Sequence, residues 1–297
     1  MTLPASERRP LDHLVLPVKT LAEARARLAA LGFTVAPEAR HPFGTENACV
    51  FLASGTYLEP LAVASLKECQ AAVEQGNVFV ARDQAFRLRH AEGLLAIVGQ
   101  TADAGLDHAR FVENGLSGGD MLAFERPVLQ ADGQTAQAGF RLAFSADPQS
   151  PDFFLFTCQR VRPLTVDRAA LERHDNGALA ITSVILTADD PASHLPWLRV
   201  VLGEGWAEAR PYGVAFSTAA AQIEIVDAAG LQAMTGLPER PAAEGLSGAA
   251  VVFGVADLQV TERLLADKGV ATIRRQSRLI VPHQAGQGAL YLFQEVS

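Results

Sequence analysis

The sequence predicts an α+β protein built from four βαβββ modules, arranged as two paired-module domains. Three observations carry this. One ordered pattern, a strand, an amphipathic helix and then short strands, occurs four times along the 297 residues. The first and third copies align without gaps: VFLASGTYLEPL (50–61) lies on AFSTAAAQIEIV (215–226), which puts Glu59 opposite Glu224, and LDHLVLPVKTL (11–21) lies on ITSVILTADDP (181–191), which puts His13 opposite Ser183. Finally, 49 % hydrophobic and 20 % charged residues describe an ordinary globular chain, long enough for roughly two cores.

The elements follow in chain order. LDHLVLPV (11–18) is a strand by its apolar content, and TLAEARARLAALG (20–32) is an amphipathic helix closed by glycine. FTVAPEA, ACVFLAS and TYLEPLAV read as three short strands, the last two joined at Ser54–Gly55. An extra, largely helical connection, 65–92, leads to the second module, about 93–160: strand GLLAIVGQ, helix TADAGLDHARFVENG, then DMLAFERPVL, AGFRLAFSA and DFFLFTCQRV. The third module (178–227) runs from ALAITSVILTA through the helix PASHLPWLRVVLG to GVAFSTA and AQIEIVDA. The fourth (247–296) runs from SGAAVVFGVAD through LQVTERLLADKG to RLIVPH and GALYLFQEV. The domains are placed at 1–165 and 178–297, joined near PLTVDRAALERHDNG (163–177).

Composition excludes several functions. A net charge of −8 argues against nucleic-acid partners, which need clustered Lys and Arg. The first twenty residues lack a signal-peptide core, and no stretch approaches a membrane span, so a cytoplasmic protein with no membrane partner is expected. Cys49, Cys69 and Cys158 form no CxxC pair and read as buried thiols. GxGxxG, P-loop and HExxH motifs are absent, which disfavours nucleotide cofactors and zinc-hydrolase chemistry. A small-molecule substrate remains.

The chemistry concentrates around Glu59, a carboxylate among apolar strand residues. Such a group is either exposed or partnered, because burying it alone is costly. Alternation puts Leu11, His13, Val15 and Pro17 on one face of the first strand and Tyr57, Glu59 and Leu61 on one face of the strand ending the module. If those faces meet, imidazole and carboxylate converge. Imidazole nitrogen and carboxylate oxygen suit a divalent metal such as zinc, manganese, iron or nickel. A His–Glu hydrogen bond without metal is the bland alternative. His41 opens HPFGTEN and is the leading third ligand, while Thr45 and Asn47 could hydrogen-bond a substrate or merely satisfy the turn. Glu224, whose partner position holds Ser183, is expected to pair with Arg210 or solvent.

Paired βαβββ modules with His on the first strand and Glu on the fourth resemble the vicinal oxygen chelate superfamily, which includes glyoxalase I, extradiol dioxygenases and metal-free resistance proteins. DHLVLPV, LGFTV, HPFGTEN, YLEPL and FFLFTCQR resemble its glyoxalase-like domain family, well over about 10–160 and through the repeat beyond. The resemblance implies curved, mostly antiparallel sheets and a metal-assisted lyase, isomerase or dioxygenase acting on vicinal oxygens. Glu59 would then be ligand or base, His13 and His41 ligands, and Thr45, Asn47, Tyr57, Phe154 and Phe156 the substrate contacts. In the superfamily further ligands come from the paired module. Here the matching places hold Leu94 or a neighbour, and Phe154, Phe156 or Cys158, none of them a hard donor. The metal-free alternative is a binding or sequestration protein, so a divalent ion and no cofactor are both open. A homodimer is a further expectation, because such modules pair between chains as well as within one.

Overall fold

The computed structural model describes residues 8–129, 135–162, 167–238 and 244–296. Residues 1–7, 163–166 and the expected domain limit at 165 lie outside them. Two curved, mostly antiparallel sheets are present, one in each half of the chain.

In the first half β1 (Leu11–Pro17), α1 (Leu21–Ala30), β2 (Ala39–Arg40), β3 (Thr45–Asn47), β4 (Val50–Phe51) and β5 (Tyr57–Val63) form the first module. Helices α2 (Leu66–Glu74) and α3 (Val78–Arg87) follow. The second module is β6 (Ala96–Gln100), α4 (Ala104–Glu113), β7 (Leu122–Leu129), β8 (Thr135–Ser145) and β9 (Phe154–Arg162). The strands lie in the order β2-β3-β5-β1-β6-β9-β8-β7, with β4 also on β5. The second half repeats the plan with β10 (Ala178–Thr187), α5 (Leu195–Leu202), β11 (Ala207–Arg210), β12 (Gly213–Ser217), β13 (Gln222–Val226), α6 (Ala228–Thr235), β14 (Ser247–Val255), α7 (Leu258–Asp267), β15 (Ile273–Arg275), β16 (Arg278–Val281) and β17 (Leu290–Glu295). Its order is β11-β12-β13-β10-β14-β17-β16-β15.

Local chemistry explains the helix ends. Side chains of Thr20, Ser65, Asn77, Asp103, Asp227 and Asp257 each accept a backbone N–H in the first turn of the helix that follows. Beyond α1 the chain reverses at Gly32, φ +82°, where an added Cβ would lie 2.6 Å from Leu264.

The structure differs from the expected elements in three places. FTVAPEA is not a strand: only Ala39–Arg40 joins the sheet, because Pro37 and a single bond from Ala36 N–H to Cys49 O (2.8 Å) keep the rest irregular. The loop HPFGTEN contains β3, which continues toward β4 but breaks at Ala48–Cys49, opposite Pro60, a residue with no N–H for the ladder. The connection after β5 is not extra. α6 holds the same place after β13, so α2 and α3 are a longer version of a feature both halves share.

One face of each sheet carries α1, α4, α5 and α7, and their apolar residues merge into a single core spanning both halves. On the other face of the first sheet Val15, Ala96, Val98, Phe154 and Phe156 are covered by α2 and α3 through Cys69, Phe79, Val80 and Phe86. Leu11 belongs to the first face and not, as alternation predicts, to that of His13. The register slips between Leu11 and His13: Leu11 pairs with Gly99 and His13 with Val98. Asp12 is therefore the extra residue of a β-bulge, which re-aims the side chains around it.

Candidate functional site

His13, Tyr57 and Glu59 share the face that α2 and α3 cover. β1 and β5 run parallel with His13 beside Tyr57 and Val15 beside Glu59. The imidazole stacks on the Tyr57 ring, centroids 4.5 Å apart, and its Nε2 lies 3.4 Å from Glu59 Oε2. From the neighbouring hairpin His41 Nε2 approaches Glu59 Oε1 to 3.6 Å, and Asn47 Nδ2 donates to the same oxygen at 2.6 Å. Thr45 Oγ1 shares a hydrogen bond with His41 Nδ1 (2.9 Å), which fixes that ring. Glu59 is thus 5 % exposed and fully partnered.

The charges follow from these neighbours. Burial alone would raise the Glu59 pKa, but the His13 hydrogen bond and charge, His41 and Asn47 outweigh it and hold it at about 2. Burial likewise works against a charged His13, yet carboxylates on both sides, Asp12 (Oδ1 3.7 Å from Nδ1) and Glu59, raise its pKa. His41 goes the other way: burial, opposed by Glu59 and helped by Arg126 and His13, lowers it to about 4. Asp12 is bound by Arg160 Nη2 at 2.6 Å. At neutral pH Glu59 is therefore ionised and His41 neutral, with His13 held beside Glu59 and Arg160 paired with Asp12.

A cavity of about 40 Å³ adjoins this cluster. His13, His41, Tyr57, Glu59, Cys158 and Arg126 line it together with Phe43, Phe79, Phe124, Phe140, Leu142 and Phe156. Of the expected substrate contacts, Tyr57 and Phe156 reach the cavity, whereas Thr45, Asn47 and Phe154 do not. Thr45 and Asn47 spend their polar groups on His41 and Glu59, and Phe154 lies behind Phe156, stacked on it at 5.3 Å. The second module adds Ala96 and Val98 to this face, while Leu94 belongs to the opposite core, so it supplies no hard ligand. Arg126, Phe124 and Phe140 were not singled out from sequence, although their alternation in AFER and GFR carried the signal. Asp12 and Arg160 were missed because a bulge has no signature in this pattern.

The donors His13, His41 and Glu59 suit a divalent ion in type, but not in arrangement. Among the described residues no three His, Cys, Asp or Glu side chains form a metal-holding group. Asn47 shows why: its Nδ2, 2.6 Å from Glu59 Oε1 and 3.4 Å from His41 Nε2, fills the corner between them with hydrogens and no lone pair. Flipping the amide would set two acceptor oxygens against each other.

The matching position in the second half keeps the geometry and changes the chemistry. Ile185 pairs with Glu224 and Ser183 with Gln222, as Val15 pairs with Glu59 and His13 with Tyr57. Glu224 accepts from Ser183 Oγ (2.6 Å) and lies 3.5 Å from Arg278; Arg210, its expected partner, pairs with Glu208. At the end of α3 and just beyond it the basic residues are committed to structure as well: Arg87 binds Asp83, Val18 O and Leu61 O, and Arg89 and His90 bind Asp152.

The sequence profile of the glyoxalase-like domain matches residues 11–202. The chain belongs to this family. The match runs past the first sheet to the end of α5, further than the motifs quoted from sequence. This glyoxalase-like chain also resembles solved structures over nearly its whole length. A hypothetical protein from Staphylococcus aureus matches at 13 % identity and TM-score 0.65, covering 96 % of this chain and 99 % of that one. A mutant of 4-hydroxymandelate synthase from Streptomyces coelicolor matches at 15 % identity and TM-score 0.62, covering 98 % and 93 %. The Mn(II)-bound glyoxalase from Novosphingobium aromaticivorans matches at 10 % identity and TM-score 0.53, covering 98 % and 83 %. At these identities the likeness shows the fold of the vicinal oxygen chelate superfamily and leaves the reaction to the site itself. No curated protein matches the sequence. Among the described residues no helix is long and apolar enough to cross a membrane.

Proposed function

We propose that the pocket of the first half binds a small, flat, oxygen-bearing organic anion without a metal, making this a binding or sequestration protein of the glyoxalase-like fold. Arg126 carries the reading. Its guanidinium lines the cavity and rests on the Phe140 ring at 5.7 Å, with no carboxylate partner among the described residues. Glu59 already has His13 and Asn47 beside it, and Asp12 has Arg160, so Arg126 stands at the pocket wall as a cation that none of these carboxylates pairs with. An incoming anion supplies the missing partner, and a planar guanidinium suits a carboxylate or enolate. Phe43, Phe79, Phe124, Phe156 and Tyr57 supply flat apolar walls. The cavity has room for about one water molecule, so Phe79 on α3 or Arg126 on β7 must yield as the ligand enters.

Benzoate, catechol and benzylamine, titrated against the protein and Arg126→Gln, test this. Benzoate is expected to bind best and to lose about tenfold in Arg126→Gln. Equal binding of all three probes, or no loss in the variant, overturns the reading. A second reading, metal-assisted lyase, isomerase or dioxygenase chemistry, is favoured by two imidazole Nε2 atoms each facing one oxygen of Glu59. It requires the Asn47 amide to leave its corner. A stoichiometric divalent ion in the purified protein that disappears in Glu59→Gln would replace the first reading by the second.

A further inference from the structure

We propose that the chain has a second small-molecule site, at the seam between its two sheets, and that this site takes a small organic ammonium with an apolar body. The cavity there measures about 330 Å³, far more than the one beside Glu59, and sits at the lower end of the range of ligand pockets. Both halves build it: the segment leaving α3 meets the end of β10, the starts of β14 and β17, and α6.

Three features define the occupant. Phe86, Leu94, Leu231, Leu237 and Leu290 give the cavity an apolar wall. Thr187, Gln232 and Ser247 also line it, and their side chains make no hydrogen bond among the described residues, so hydroxyl and amide groups stand ready for a polar head. Among the described residues the carboxylates Glu92 and Asp189 line the cavity, and no Lys or Arg does. Glu92 is fixed in place, its side chain 7 % exposed, with Gly286 N–H donating to both oxygens at 2.9 and 2.8 Å and His283 Nε2 at 3.9 Å. His90, the other imidazole on the wall, is committed to Asp152 at 2.7 Å. An ammonium therefore meets carboxylates and spare oxygens, whereas a carboxylate meets repulsion. This selectivity is opposite to that of the Arg126 pocket and does not depend on it.

The test uses the isotope-labelled full chain with 2-phenylethylamine and with 3-phenylpropionate, a probe of like size and opposite charge. The amine is expected to give saturable amide shifts at Leu94, Thr187, Ala188, Gly248 and Leu290, with affinity about tenfold above that of the acid at the same residues. Ala228→Leu, which fills the cavity from the start of α6, should abolish these shifts. Asp189→Lys, an exposed change that spares the fold, should weaken the amine about tenfold and strengthen the acid. The proposal fails if neither probe saturates these residues by about 10 mM, if the acid binds there as well as the amine, or if Asp189→Lys leaves the amine unaffected.

Discussion

Glu59 is a buried carboxylate that stays ionised because its neighbours more than offset the cost of burial, and this makes it an acid-sensitive point. Its pKa of about 2 lies below the ordinary 4.5, so the stability it contributes is complete above pH 4.5 and lost as pH falls through 2. The difference corresponds to about 3 kcal/mol. His41 adds to the same limb: held neutral down to about pH 4 against an ordinary 6.5, it favours the folded state above 6.5 and ceases to do so as pH falls through 4. His13 has the opposite sign, stabilising below 6.5 and losing that contribution as pH rises through its raised value. Glu59→Gln should therefore cost stability at neutral pH, by about 3 kcal/mol, because it strips His13 of one carboxylate. It should also flatten the fall in stability between pH 4.5 and 2. Urea midpoints measured across that range test both, and parallel profiles for the two proteins would contradict the assignment. The pairing of His13 with Glu59 was legible in the sequence because strand alternation and the repeat both pointed to it. The role of Asn47, which closes off the metal corner, was not, since a side chain's partner across a hairpin depends on tertiary geometry.

The hairpin carrying His41, Thr45 and Asn47 is held by its contact with α2, and Gly44 is the point of contact. Its φ is +90°, and an added Cβ would lie 2.7 Å from Cys69 N, 2.8 Å from Glu68 Cβ and 2.8 Å from Ser65 O. Its carbonyl also accepts the N–H groups of Ala64 and Ser65, both at 2.9 Å. Gly44→Ala is thus strained in backbone and space at once and should destabilise by about 2–4 kcal/mol. Faster hydrogen exchange at Thr45 and Asn47 should accompany the loss, and normal protection there would show that the hairpin does not depend on α2. Most elements of this scale were legible. Apolar periodicity marked the long strands and all four core helices, whereas FTVAPEA has strand-like composition but loses the sheet to Pro37. The bulge at Asp12 and the break opposite Pro60 arise from ladder register, which a single strand's sequence does not carry.

The two halves are not independent in their packing. Phe33, just after α1, contacts Phe253, Tyr291 and Phe293 of the second half, with centroids 5.0, 6.0 and 6.1 Å away. Trp197 Nε1 donates to Ser145 Oγ (2.9 Å), Asn176 Nδ2 to Leu31 O (2.8 Å) and Ser54 N–H to Leu179 O (3.1 Å), so polar bonds cross the same seam. The repeat revealed two similar sheets, but the helices that cover one face of each present a common apolar surface, and their mutual burial is invisible to any pattern within one module. One shared core predicts one cooperative transition, because neither half keeps its buried surface without the other. Phe33→Ala should cost about 3–5 kcal/mol by removing a buried ring and leaving a cavity. It should also lower the entire transition, with tryptophan fluorescence, reporting mainly on Trp197 in the second half, and amide exchange in β1 of the first half shifting together. Two separated transitions, with only one displaced by the substitution, would instead mean that the aromatic seam joins halves that fold on their own.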